Sequence, residues 1–93
     1  MTTPRQLGAL LKGLGFVFEP KMGGNCTAWS RPEEDGGHVL LTLEGGGVAP
    51  SSLGDTVLVG WYTPEKELPV RHEVGVLRDL LGRGVLAGGI TPA

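Results

Sequence analysis

Apolar residues recur along this chain in two periods, and glycine or proline marks most of the places where one period gives way to the next. Thr3-Pro4-Arg5-Gln6 opens like a helix. The Thr3 hydroxyl can accept from the first exposed amides, Pro4 suits the first helical position, and Gln6 completes a capping box. Leu7, Leu10, Leu11 and Leu14 then form one apolar stripe at helical spacing, with Gly15 placed to stop it.

Phe16 to Glu19 reads as a short strand ahead of Pro20, and Cys26 to Arg31 as a second, entered through the turn signal Gly23-Gly24-Asn25 and closed by Pro32. His38 to Glu44 and Thr56 to Thr63 are the clearest strands. Gly45-Gly46-Gly47 and a loop through Asp55 separate them, and Pro64 ends the latter. From Pro69 to Leu81 the spacing of Val70, Val74, Leu77 and Leu81 predicts an amphipathic helix, stopped by Gly82 and Gly84. The tail from Val85 to Ala93 is apolar but without a period.

The predicted order is helix, three or four strands, helix. Short connections favour antiparallel neighbours, because a parallel return needs a crossover of about a dozen residues or more. The expected fold is therefore α+β: a small antiparallel sheet in a meander, with an N-terminal and a C-terminal helix packed on one face, forming a single compact domain over residues 1–93.

Strand alternation assigns faces. Val39, Leu41 and Leu43 share one side of their strand, as do Val57, Val59 and Trp61, and these should meet the helices. The opposite side carries His38, Leu40, Thr42 and Glu44, then Leu58, Gly60 and Tyr62, a half-apolar surface on a chain with few helices to cover it. Trp29, Leu40, Leu58, Gly60 and Tyr62 are the candidate partner-contact residues. Gly60 stands out because glycine inside a strand weakens it and often marks a close approach.

Composition narrows what such a surface meets. Net charge is −2, and neither sign dominates a long stretch, so bulk attraction to nucleic acid or an anionic membrane is not expected. The stretch from Leu7 to Leu14 is interrupted by Gly8, Lys12 and Gly13, which makes neither a secretory leader nor a membrane span, and a cytoplasmic location is the expectation. With one cysteine, no internal disulfide can form. One isoleucine and three lysines against 17 glycines suit a GC-rich bacterium or one of its phages or mobile elements.

Chemical motifs are weak. Cys26 follows a glycine-rich turn and could act as a nucleophile if His38 or His72 served as its base, but no signature surrounds the three, and their spacing matches no compact zinc pattern. Gly45-Gly46-Gly47 and Gly82-Arg83-Gly84 lack the Lys-Ser/Thr of a phosphate loop. Glu33, Glu34, Asp35, Glu65 and Glu67 fit solvated turns. Trp29 and Tyr62 could stack on bases, with Lys66, Arg71 and Arg78 as the cations such a site would need.

The sequence thus favours a small non-enzymatic protein-interaction module, regulatory or inhibitory, whose partner is another protein or a second copy of itself, with no metal, cofactor or small-molecule substrate. A nucleic-acid-associated regulator is the alternative, and a Cys-dependent enzyme the third reading.

Overall fold

The computed structural model describes residues 3–20, 26–34, 36–45, 47–65 and 68–86. The Gly23-Gly24-Asn25 turn, Asp35, Gly46, Lys66, Glu67 and the tail from residue 87 onward lie outside the described residues.

Helix α1 spans Pro4–Gly13, with Thr3 as its N-cap. The Thr3 hydroxyl accepts from the Gln6 amide at 3.1 Å and the Gln6 side chain accepts from the Thr3 amide at 2.9 Å, so two amides that the helix leaves unpaired are satisfied reciprocally. Five strands follow: β1 (Val17–Glu19), β2 (Ala28–Pro32), β3 (His38–Leu43), β4 (Thr56–Tyr62) and β5 (Arg71–Val76). A short helix, α2 (Leu77–Gly82), comes last. The strands form one sheet in chain order, every neighbouring pair antiparallel. The α+β meander is thus present, with five strands where three or four were expected.

The extra strand comes from the segment expected to be helical. Residues 71–76 run as β5 along the outer side of β4, and only 77–82 are helix. His72, Val74 and Val76 alternate with Arg71, Glu73 and Gly75, a period of two that suits β-branched residues. Gly75 disfavours helix, whereas in the sheet it admits Leu80, whose Cδ2 lies 3.3 Å from where a Cβ would stand. The acidic residue in the first turn of α2 is Asp79; Glu65 belongs to the β4–β5 connection.

One face of the sheet is the core. Val39 and Leu41 of β3 and Val57 and Val59 of β4 are fully buried there, together with Phe16, Leu7 and Leu11 of α1, Leu77 and Leu80 of α2, and Leu86. Leu14, Leu53, Trp61, Leu81 and Val85 pack around the edge of this cluster. The side chain that closes its rim is charged. Arg31 of β2 is 6% exposed, lies 4.9 Å above the Phe16 ring, and donates to the Leu86 carbonyl at 2.7 Å and the Leu14 carbonyl at 3.3 Å. Its Nε also donates to Glu33 at 3.3 Å. Arg31 therefore ties three parts of the chain together: the end of α1, the β2–β3 connection and the segment after α2. Gly15 at φ 94° makes the turn that brings Leu14 into reach, a conformation that residues with a Cβ rarely adopt.

Candidate functional site: the open sheet face

Register and alternation assign every strand position to a face. The side turned from the helices carries Val17 and Glu19; Ala28, Ser30 and Pro32; His38, Leu40 and Thr42; Thr56, Leu58, Gly60 and Tyr62; and His72, Val74 and Val76. Among the strand positions of this face the only carboxylate is Glu19, on the edge strand, with Glu44 following just past the end of β3, and there is no lysine or arginine. The charged strand residues Arg31, Arg71 and Glu73 all fall on the helix side. Solvent-facing sheet surfaces are ordinarily the polar ones. Here the ordinary distribution of charge is reversed.

A hollow of about 360 Å³ opens in this face, lined by Leu40, Thr42, Leu58, Gly60, Tyr62, Pro69 and His72. Its floor follows from pairing: Leu40 lies opposite Gly60, which in turn lies opposite His72, so a glycine separates two larger side chains across three strands. Tyr62 closes one end by folding back along its own strand. A Cβ on Gly60 would stand 3.0 Å from Tyr62 Cε1 and 3.4 Å from its Oη, so the ring occupies the space a side chain at 60 would need. His38, directly opposite Tyr62, stacks on that ring at 4.8 Å between centroids and 4° between planes. Gly60 is thus buried beneath Tyr62, its backbone covered and its missing side chain the condition for the His38–Tyr62 stack.

Gly60→Ala should push the Tyr62 ring off its seat and break this stack, at a cost of about 1 kcal/mol. Proton NMR would register the change as lost His38–Tyr62 cross-peaks, with denaturant unfolding giving the stability. Cross-peaks retained at parental stability would contradict the close approach.

The candidate residues separate accordingly. Leu40, Leu58, Gly60 and Tyr62 come together around the hollow. Trp29 does not join them. It pairs with Leu41, so it shares the core side of the sheet, and it is only 8% exposed. Its indole lies against α1 at Gly8, where a Cβ would stand 3.6 Å from the ring, and Phe18 meets it edge-on at 5.3 Å. Thr42, Pro69 and His72 were not singled out as contact residues. Had 71–76 read as a strand, alternation would have placed His72 beside Gly60.

The other candidate chemistry is dispersed. Cys26 precedes β2 near Gly47, whereas His38 pairs with Pro32 at the far end of the same strand, about 20 Å along at strand spacing. Among the described residues no group of three or more His, Cys, Asp or Glu gathers to hold a metal. Arg71 lies over Trp61 at 4.3 Å and near Glu73 at 3.9 Å, and Arg83 reaches Glu73 at 3.7 Å and Asp79 at 3.5 Å. No described helix is long and apolar enough to cross a membrane.

The fold and site define a class by architecture: a small α+β domain whose five-stranded antiparallel meander is covered by helices on one face and presents a hollowed, nearly charge-free surface on the other. Comparison with protein-family models, with curated proteins and with solved structures finds no match.

Proposed function

We propose that this protein is a non-catalytic protein-interaction module, regulatory or inhibitory in role, that makes contact through its open sheet face. The observation that carries the reading is the near absence of charge from that face, together with the apolar side chains around its hollow. Leu40, Leu58 and Tyr62 are half-buried there, and Val74 remains 49% exposed beside them. A contiguous apolar surface of this kind costs solubility unless something covers it, which is why such patches mark contact sites. His72, Thr42 and Tyr62 give it the polar points a specific contact requires. Arg71 held against Trp61 and Glu73, and a cysteine distant from His38, lend less support to the nucleic-acid and cysteine-enzyme readings.

The test is affinity capture from cells of the source organism with the parent protein and with Leu58→Glu, each checked by circular dichroism. A protein retained by the parent and lost by the folded variant is the expected outcome. Equal retention by both would remove the open face from the contact.

A further inference from the structure

We propose that the partner on the open face is a second copy of this chain, docked face to face across a two-fold axis so that two five-stranded sheets enclose a shared apolar layer. The inference rests on the reading of that face as a contact surface, and three features select this occupant. The first is charge. Across a two-fold axis each residue meets the same surface on its partner, so a face rich in one sign repels itself. The strand positions of this face carry one carboxylate, Glu19 at the edge, and no basic residue, with Glu44 following just past the end of β3, which suits a copy of itself and offers nothing to a strongly charged partner.

The second is area. Strands of three to seven residues at their usual spacing give a footprint of about 430 Å², about 860 Å² over two copies before side-chain corrugation is counted. That is the size of a weak, reversible contact, just under the roughly 1,000 Å² that a stable interface needs. The third is shape. The same face holds a hollow of about 360 Å³ and, beside it on β5, the exposed Val74 and Val76. A two-fold operation uses hollow and projection twice, seating the valines of each copy against the hollow of the other. Sheets packed this way lie about 10 Å apart.

Sedimentation velocity on the full chain tests this, from about 1 to 300 μM, a range that brackets modest dimer affinities. The parent should move from 9.7 kDa toward twice that mass as concentration rises, with no loss of association in 1 M salt, because an apolar contact is not screened. Val74→Lys places two like charges in the shared layer and should weaken association at least about 100-fold. Since Val74 is half exposed, its circular dichroism spectrum should match the parent's. Leu58→Glu gives a second, independent lesion at the centre of the face.

A parent that dimerises equally well with either substitution overturns both the inference and the reading beneath it, since association would then lie elsewhere. A parent that stays monomeric throughout overturns the second-copy inference alone. The capture experiment then separates the two claims: a protein lost with Leu58→Glu keeps the contact reading and puts a foreign chain on the face, and no such loss removes that reading as well.

Discussion

Arg31→Ala should lower the melting temperature by about 15 °C, through loss of about 3 kcal/mol of stability in a domain of this size. The magnitude follows from what the guanidinium leaves behind. Its Nη1 donates to the carbonyls of Leu86 and Leu14, and its Nε to Glu33, whose side chain is only 16% exposed. Truncation therefore strands two carbonyls and a half-sheltered carboxylate at once. It also removes the cover from Phe16, which is buried beneath the guanidinium. Arg31→Met separates the two contributions, because it restores much of the packing of the stem and none of the hydrogen bonds. Thermal unfolding should place Arg31→Met between parent and alanine variant, closer to the latter. A loss of less than about 3 °C in Arg31→Ala would mean that these hydrogen bonds do not hold the chain ends together.

Nothing in the local sequence announced Arg31. It stands at an ordinary strand position two residues before Glu33, and its partners Leu14 and Leu86 are brought to it only by the folded topology. Trp29 was misplaced for a related reason. Its face depends on how β2 registers against β3, and a shift of one residue reverses every side chain in a strand. That register runs through the connection from Glu33 to Gly37, whose geometry the sequence does not disclose. The faces of β3 and β4 were legible because each keeps an unbroken apolar set on one side over six or more residues: Val39, Leu41, Val57 and Val59 are all fully buried.

The residues after Pro69 satisfied two periods at once. Val70, Val74, Leu77 and Leu81 keep helical spacing, while His72, Val74 and Val76 keep strand spacing. What decides between them is nonlocal. The outer side of β4 offers six residues of ladder to a partner, and the chain returns after a turn short enough to supply one. Only Leu77 onward, where the strand can no longer pair with β4, takes up the helix the period suggested. The hollow was legible to the extent that β3 and β4 build it; His72 was missed with the strand that carries it, and Pro69 with the segment that leads into that strand.

The second large effect is expected at Leu41. Leu41→Glu should destabilise the protein by at least about 4 kcal/mol, enough to unfold a marginal domain at room temperature, because it puts a carboxylate into a fully buried site among leucine and valine side chains. Leu40 is its neighbour in sequence and its opposite in environment. It faces the open side and lines the hollow, through which a glutamate can reach solvent, and Leu40→Glu should cost no more than about 1.5 kcal/mol. The account stands on that difference, since a face reserved for contact must be dispensable for folding. Equilibrium denaturation of the two variants and the parent, at a concentration where the parent is monomeric, tests it most directly. The account predicts a cooperative transition near the parent's for Leu40→Glu and none, or one greatly weakened, for Leu41→Glu. Two variants that lose stability alike would contradict it, by making both faces of the sheet part of the core.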